Sequence, residues 1–320
     1  MPTIKDVARE SGVSVATVSR AINNSGYVHE DTLKKINRAI EYLNYKPNET
    51  ARSLYNKKSK MIGLLLPDIT NPFFTLVARG VEDTALEHGF HIIIGNSDQQ
   101  PEKELSYIET FQLNNCVGFI SSALQYLYTD ESNKHSGMHH VMLDRIEEGV
   151  TTVEANHEKG GILQAQCLID AGCKNILVIS GNPQFSSFNK RFETACETLS
   201  ASSVNFNILQ VTEVEDSLLQ LITAEAYDGI ICCNDMCAIQ VMGILQNNGI
   251  KIPDDVKVIG FDDIQISENY YPSITTVRQP AYELGKVACE NLIKLIQDKD
   301  IEQHVVVDVH LIERNSTRRC

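Results

Sequence analysis

The sequence predicts two kinds of structure in one chain: an N-terminal all-α head with a helix-turn-helix pattern, and an α/β core built on doubly wound parallel sheets. Three observations predict this division. Apolar residues near the N-terminus recur with helical spacing, whereas from Met61 onward short apolar runs alternate with helical stretches. Charge divides at the same place, because residues 1–60 contain 11 Lys and Arg against 6 Asp and Glu, and the remainder contains 17 against 36.

The first helix of the head is predicted to begin after Thr3. Thr3 is a candidate N-cap, and Asp6 lies three residues on, where a capping box requires an acid. Ile4 and Val7 start an apolar stripe on one face of this helix. Gly12 can adopt the positive φ that ends a helix. The segment is therefore predicted to be a short amphipathic helix followed by a tight turn.

A second helix is predicted to follow, with Ser14 as its cap and with Val18 and Ile22 facing inward. This arrangement turns outward the side chains that a recognition helix presents to base edges, namely Val15, Ala16, Thr17 and Arg20. An ordinary helical hairpin is the alternative. The net positive charge of the segment favours the nucleic-acid interpretation, because a basic head is attracted to phosphate and an acidic body is repelled by it.

Residues 31–44 are predicted to form a third helix, and Pro47 stops it. The stretch from Asn48 to Lys60 follows, with a possible helix cap and a single exposed Leu54, but with too little apolar surface to fold alone. One interpretation is a plain linker. The other is a hinge that becomes helical only on DNA, where Leu54 would enter the minor groove as an apolar wedge.

The core is predicted from apolar runs separated by helical stretches, a pattern typical of a parallel sheet covered on both faces. Strands are predicted at 61–67, 90–97, 117–122, 140–145, 175–181, 205–209, 229–235, 256–263, 274–280 and 304–312. Helices are predicted at 73–88, 101–114, 157–171, 188–200, 236–248 and 281–297.

Polar residues follow several predicted strands, at the edge where such sheets bind ligands. They are Asp68, Asn71, Asp98, Asp144, Arg145, Asn234, Asp262 and Gln279. Phe73 and Phe74 can stack on a sugar ring, while carboxylates, Arg and amides can bind hydroxyl groups. No Gly-rich phosphate loop follows a strand, which favours a neutral polyol. We expect Asp262 to be held ionised by Arg145 and Arg191 and to accept hydrogen bonds from the sugar.

Composition and the remaining motifs limit the class of protein. A hydrophobic content of 42% and 22% charged residues are ordinary for a soluble globular protein, and no apolar run is long enough to span a membrane. The first residues lack the apolar run of a signal peptide, and nine cysteines complete no zinc spacing. We therefore expect a cytosolic protein with reduced thiols, no metal and no cofactor.

Two rival classes remain at this point. An enzyme is disfavoured because no GxSxG motif is present, and because the adjacent Asp262 and Asp263 would point to opposite faces of a strand. An exported solute-binding protein fits the core, but neither the basic head nor the N-terminus fits it. Substrate turnover would favour the first class and export the second.

The head and the segments NYKPNETARSLY, GLLLPDITNPFF, NDMCAIQVM, VIGFDD and RQPAYELGK together resemble the lactose/galactose-repressor family over essentially the whole chain. Within the family, the chain is most similar to the ribose-operon regulators of Gram-positive bacteria. The resemblance implies a helix-turn-helix head joined to a periplasmic-binding-protein-like core of two lobes. It implies a head at 1–46, a hinge at 47–60 and a core at 61–320, with lobe 1 at about 61–155 and 280–302 and lobe 2 at about 156–279 and 303–320.

The resemblance also implies roles for individual residues. DNA contacts fall on Thr3, Ser14, Val15, Ala16, Thr17, Arg20, Asn48, Arg52 and Leu54. Effector contacts fall on Asn71, Phe73, Phe74, Asp144, Arg145, Arg191, Asn234, Asp262 and Gln279. Such pockets usually carry a further aromatic in the segment that here reads QVTEVEDS, where Val214 is the nearest match. Nothing is transferred onto residues 123–140.

The resemblance implies a homodimeric repressor, not an enzyme, that binds a pseudo-palindromic operator and responds to a small sugar, ribose. Two alternatives stay open: a different sugar can replace ribose as the effector in a regulator of the same family, and a phosphocarrier protein can serve as corepressor. Two heads are expected because one small module makes few base contacts.

Overall fold

The computed structural model describes residues 2–23, 25–45, 59–122, 138–145 and 149–318. The chain divides into two compact units, with the boundary after Ser59. The first unit is the helical head and the second is the α/β body. Most of the predicted hinge, including Asn48, Arg52 and Leu54, lies outside the described residues.

The head contains three helices, which are α1 (Ile4–Ser11), α2 (Val15–Asn23) and α3 (Glu30–Tyr42). Asp6 accepts a hydrogen bond from the backbone N–H of Thr3 at 2.8 Å, as the capping box predicts. Gly12 ends α1 with a φ of 70°. The Ser14 hydroxyl accepts from the backbone N–H of Thr17 at 3.2 Å and so caps α2. The predicted helix, turn and helix are thus confirmed.

A small apolar core holds the three helices together. Val7 from α1, Val18 from α2 and Ile36 from α3 have no exposed surface. Burial of an aliphatic side chain contributes about 1.5–3 kcal/mol, so these three residues contribute substantially to the stability of the head. Ile22 packs against the cluster while only partly buried.

The body is built on two six-stranded sheets. In the first sheet the strand order is β11-β5-β4-β3-β1-β2, and in the second it is β12-β10-β9-β8-β6-β7. All paired neighbours run parallel except β10 and β12. The strands are β1 (Met61–Leu66), β2 (His91–Asn96), β3 (Gly118–Ser121), β4 (His139–Leu143), β5 (Thr151–Ala155), β6 (Asn175–Ser180), β7 (Asn205–Gln210), β8 (Gly229–Ile231), β9 (Lys257–Asp262), β10 (Thr275–Arg278), β11 (His304–Val307) and β12 (His310–Ile312).

Helices pack against these sheets. They are α4 (Pro72–Glu87), α5 (Pro101–Leu113), α6 (His157–Asp170), α7 (Ser186–Ala201), α8 (Val214–Ala224), α9 (Asp235–Asn247), α10 (Gln265–Asn269) and α11 (Ala281–Ile296). Helices α4 and α11 approach unusually closely. A Cβ on Gly80 would lie 2.1 Å from the carbonyl oxygen of Tyr282, and one on Gly285 would lie 2.2 Å from that of Val77. Only glycine allows this spacing.

Several elements differ from the prediction. The predicted strand 304–312 is two strands, β11 and β12, which belong to different sheets. The sequence pattern does not predict strand β5, because its residues TTVEA do not form an apolar run although all five are buried. The predicted helices do not include α8 or the short α10 either.

The split of 304–312 corrects the predicted boundary between lobes. β11 pairs with β5 in the first sheet, so residues 304–307 do not belong with the second lobe as predicted. The chain crosses to the second sheet only after Val307. Asp308, between the two strands, accepts hydrogen bonds from Lys159 at 2.7 Å and marks the crossing.

Candidate DNA-facing helix and effector cavity

The outer face of α2 presents the residues predicted to contact DNA. Val15 is 41% exposed, Ala16 and Arg20 are exposed, and Thr17 is half-buried. The Ser14 hydroxyl lies 2.8 Å from that of Thr17, so these two side chains hold each other in place. Arg20 is the one charged residue of α2, and Arg commonly reads guanine through two hydrogen bonds.

Thr3, which is also predicted to contact DNA, has its hydroxyl hydrogen-bonded to Asp6 at 2.7 Å. The same carboxylate binds Arg9 at 2.6 Å. The Thr3 hydroxyl bond lowers the pKa of Asp6 most strongly, followed by the backbone hydrogen bond from Thr3. Asp6 therefore stays ionised, and it fixes the entrance of the chain into α1.

The nine predicted effector residues line one cavity in the body, with a volume of about 140 Å³. Asp144, Arg145, Asn234, Asp262 and Gln279 come from strand ends or from the loops that follow them, and Asn71 caps the helix after β1. Phe73 and Phe74 come from the first turn of α4, and Arg191 comes from the second turn of α7. The carboxyl ends of parallel strands meet at one edge, which is why residues far apart in sequence converge here. Both sheets contribute to the lining.

Two asparagines position helix N-termini at the cavity. Asn71 Oδ1 accepts from the backbone N–H of Phe73 at 3.0 Å and caps α4. Asn234 Oδ1 accepts from the backbone N–H of Cys237 at 2.8 Å and caps α9. In both cases the cap fixes the side chain in one rotamer, so that its amide group has a defined place in the cavity wall.

The two aromatic residues after Asn71 have different roles. Phe73 is buried in the apolar core, whereas Phe74 is only partly buried. Their ring centroids lie 5.1 Å apart with the rings nearly perpendicular, so Phe73 supports the Phe74 ring through an edge contact. Phe74 is therefore the ring of this pair that is better placed to face a ligand.

Arg145 links the two sheets across one side of the cavity. Its Nη1 donates to the backbone oxygen of Asp144 at 2.6 Å and to the Ser187 hydroxyl at 2.7 Å. Its guanidinium carbon lies 4.1 Å from the ring centroid of Phe185, within cation–π distance. Burial lowers the pKa of Arg145 to about 10, so the group stays charged at neutral pH.

Arg191 and Asp144 are joined through a histidine. His157 Nε2 lies 3.0 Å from Asp144 Oδ1, and Arg191 Nε donates to His157 Nδ1 at 3.0 Å. Burial raises the pKa of Asp144, but its interactions with His157 and Arg191, among them the His157 Nε2–H hydrogen bond, outweigh this effect. The pKa of Asp144 therefore lies well below its usual range, and the carboxylate is ionised.

Asp262 corrects one prediction. The sequence predicts that two arginines hold it ionised, but burial dominates and raises its pKa to about 8, while Arg191 only partly offsets this effect. Both arginines already bind other partners. The nearest polar contact is Gln279 Nε2, which donates to Asp262 Oδ1 at 2.5 Å. Asp262 is therefore mostly protonated at neutral pH.

A second buried carboxyl, Asp235, supports the same strand ends. It accepts hydrogen bonds from the Ser267 and Thr276 hydroxyls at 2.6 Å and from the Ile264 N–H at 3.0 Å. Burial raises its pKa to about 6. Asp235 thereby ties α9 to the segment that follows Asp262.

The structure also shows cavity residues that the sequence analysis does not select, among them Ser187 and Phe188. Phe188 lies three residues before Arg191 on α7, so helical spacing could have placed it on the same face. Val214, the nearest match to an expected aromatic, is fully buried in the core of the second sheet and does not line the cavity. Phe188 supplies an aromatic wall from a different position.

Other chemistry is limited in the part of the chain that the structure describes. Among these residues no group of His, Cys, Asp and Glu could hold a metal ion. Cys232, Cys233 and Cys237 are buried free thiols. Their mutual hydrogen bonds and burial raise the pKa of Cys233 and Cys237 well above the ordinary value, so both stay protonated. No described helix is long and apolar enough to cross a membrane.

Two family models match this chain. The model of bacterial regulatory proteins, lacI family, matches residues 3–48, and the periplasmic binding protein-like domain matches residues 165–317. With a relative that is 40% identical over the full chain, these matches show that the chain belongs to the lacI family of bacterial regulatory proteins. It is accordingly a transcriptional regulator with a DNA-binding head, and not an enzyme.

That relative is the ribose operon repressor of Bacillus subtilis (strain 168), and the match covers 100% of this chain and 99% of the relative. A solved periplasmic binding protein/LacI transcriptional regulator from Alkaliphilus metalliredigens QYMF, complexed with D-xylulofuranose, is 30% identical with a TM-score of 0.75, covering 82% of this chain and 100% of that one. The lac repressor dimer bound to operator and the anti-inducer ONPF has a TM-score of 0.88 at 22% identity and covers 99% of each chain, so it supports the fold alone.

Proposed function

We propose that this protein is a cytosolic repressor of a ribose uptake or catabolism operon. Its heads bind a pseudo-palindromic operator as a homodimer, and ribose binds in the cavity and alters operator affinity. The observation that carries the proposal is the convergence of the nine predicted effector residues on one cavity, in a chain 40% identical to a ribose operon repressor.

The cavity chemistry supports a neutral sugar. Each hydroxyl group of a sugar both donates and accepts hydrogen bonds, and the lining offers both kinds of partner. Arg145 and Arg191 donate, Asp144 accepts, and the protonated Asp262 can do either. Phe74 and Phe188 add flat apolar surface for the C–H face of a sugar ring. The cavity volume of about 140 Å³ is of the size that a single small sugar would fill.

The division of the lining between two sheets suggests how sugar acts on the operator. Asn71 and Asp144 follow strands of the first sheet, whereas Asn234, Asp262 and Gln279 follow strands of the second. A bound sugar would bridge both sets and so favour one spacing of the sheets. To act as a switch, the sugar must bind two states with different affinity, typically by about 1–3 kcal/mol. We expect the predicted hinge at 47–60 to transmit this difference to the heads.

A thermal-shift screen of the full chain tests the effector. We expect ribose to raise the melting temperature, and D-xylulose, sucrose, cellobiose and purines to have smaller effects. Gln279→Ala should abolish the ribose shift, whereas Gln246→Ala, an exposed glutamine on α9, should leave it unchanged. A larger shift with another sugar would move the assignment to that sugar, and no shift with any would refute a sugar effector.

Selection from random duplex DNA tests the operator. We expect an inverted repeat to be enriched, since a two-fold dimer presents two identical heads. Sedimentation should give a dimer of the 35.7 kDa chain. Adding a phosphocarrier protein then tests the corepressor alternative, because a true corepressor tightens operator binding and an inert protein does not. Enrichment of an asymmetric single site would contradict the dimer model.

A further inference from the structure

His157 forms a buried bridge between two effector residues. Its side chain has no exposed surface, Nε2 lies 3.0 Å from Asp144 Oδ1, and Nδ1 accepts from Arg191 Nε at 3.0 Å. An Arg N–H can only donate, so Nδ1 must carry no proton and Nε2 must carry it. The geometry therefore defines one neutral tautomer. Burial lowers the pKa of His157, which agrees with a neutral ring.

Both ends of the bridge are held by further contacts. Arg191 Nη1 donates to the Cys233 carbonyl at 3.0 Å, and its guanidinium carbon lies 3.8 Å from the Phe261 ring centroid. Asp144 Oδ1 accepts from the Ala155 N–H at 3.1 Å. Arg191 comes from α7 beside the second sheet, and Asp144 follows β4 of the first sheet. His157 thus joins two ligand-facing side chains that belong to different halves of the body.

We propose that His157 is a positioning residue for the effector, which orients Arg191 and Asp144 together and makes them act as one unit. Among the described residues, Asp144 and Arg191 line the cavity and His157 does not, so it acts through them rather than on the ligand. This inference rests on the proposed sugar site. It goes beyond that site because neither family resemblance nor strand-end position singles out His157.

Two substitutions separate positioning from packing. His157→Leu removes both hydrogen bonds, whereas in His157→Gln the amide oxygen can accept from Arg191 and the amide N–H can donate to Asp144. Loss of a partner that supports a metal-binding side chain typically weakens metal affinity about 10- to 100-fold, and we expect the same scale for a partner that supports sugar-binding side chains. We expect His157→Leu to weaken ribose binding by that factor and His157→Gln to stay within about threefold of wild type.

His140 provides the matched control. It is a half-buried histidine of the same body, with its Nε2 2.8 Å from the Ser121 hydroxyl and its ring stacked on Phe119. His140→Leu should also lower the melting temperature. It should nevertheless leave ribose affinity unchanged, because neither Ser121 nor Phe119 lines the cavity.

The experiment is calorimetric titration of ribose into the full-length wild type and the three variants. It is combined with ¹⁵N-histidine NMR, in which the His157 signals are assigned by their loss in His157→Gln. We expect an unprotonated Nδ1 and a protonated Nε2 between pH 6 and 8. Wild-type affinity in His157→Leu, equal losses in both leucine variants, failure of glutamine to rescue, or a protonated Nδ1 would overturn the proposal. If wild type binds no sugar, the proposed function fails, and the NMR result alone decides the His157 bridge.

Discussion

Asp262→Asn should change how the stability of the protein depends on pH. The folded-state pKa of Asp262 is raised to about 8 by burial, against 3.8 for an unperturbed carboxyl. Because the folded value is the higher one, the stability contributed by the bound proton is fully present below pH 3.8 and is lost as pH rises through 8. An asparagine at this position carries no such proton, so the variant should lose less stability than wild type as pH rises.

The size of the effect follows from linkage. When the folded state binds one proton that the unfolded state does not, the free energy of unfolding falls by about 1.4 kcal/mol for each unit by which the pH rises. Between pH 6 and 8, with half the proton released at pH 8, wild type should lose about 2 kcal/mol relative to Asp262→Asn. The proton on Asp235, with a pKa of about 6, is released around pH 6 in wild type and variant alike, so it contributes to both unfolding curves.

Urea unfolding of the sugar-free chain at pH 6, 7 and 8, followed by circular dichroism, measures this difference. The chain contains no tryptophan, so tryptophan fluorescence is not an option. Histidine titrations contribute equally to both proteins and cancel in the comparison. A constant difference between wild type and variant across the three pH values would refute the reasoning and show that Asp262 is already ionised at pH 6.

Three further predictions concern DNA binding and packing. Arg20→Ala should cost about 1–3 kcal/mol of operator binding and relax discrimination at one base pair of each half-site, and an unchanged preference in a binding-site selection would contradict this role. Leu54→Ala should weaken operator binding without shifting the melting temperature of the free protein, whereas a large shift would mark a core residue. Gly80→Ala should destabilise the body, since its Cβ meets a backbone oxygen at 2.1 Å, while Gly243→Ala, with no atom closer than 4.0 Å, should stabilise it by up to about 1 kcal/mol in urea unfolding.

The strongest sequence signals are periodic. The predicted helix 73–88 is α4 at Pro72–Glu87, and the predicted strand 61–67 is β1 at Met61–Leu66. Both segments are long and apolar and end at clear breaking residues, so the local sequence preference and the tertiary packing favour the same structure. Strand β5 could not be recognised in this way. Its buried Glu154 is compensated by Lys190 at 2.7 Å and His304 at 2.8 Å, partners that are distant in sequence.

The residues that line the candidate site could be predicted from the sequence, but their protonation states could not. Strand-end position and family resemblance selected residues that the fold brings together. The protonation of Asp262 could not be foreseen, because it depends on burial and on both arginines being engaged elsewhere. Phe188 carried a usable helical-spacing signal relative to Arg191. His157 carried none, since its role arises only when the fold places two unrelated side chains on either side of its ring.

We propose that one sugar cavity controls operator affinity. Titration of ribose into the complex of full-length protein and selected operator, with wild type compared to Asp262→Ala, measures this control. Removal of a buried hydrogen-bonding group costs about 1–3 kcal/mol, so the midpoint should rise about 5- to 150-fold while sugar-free operator binding stays unchanged. Equal midpoints would contradict the account.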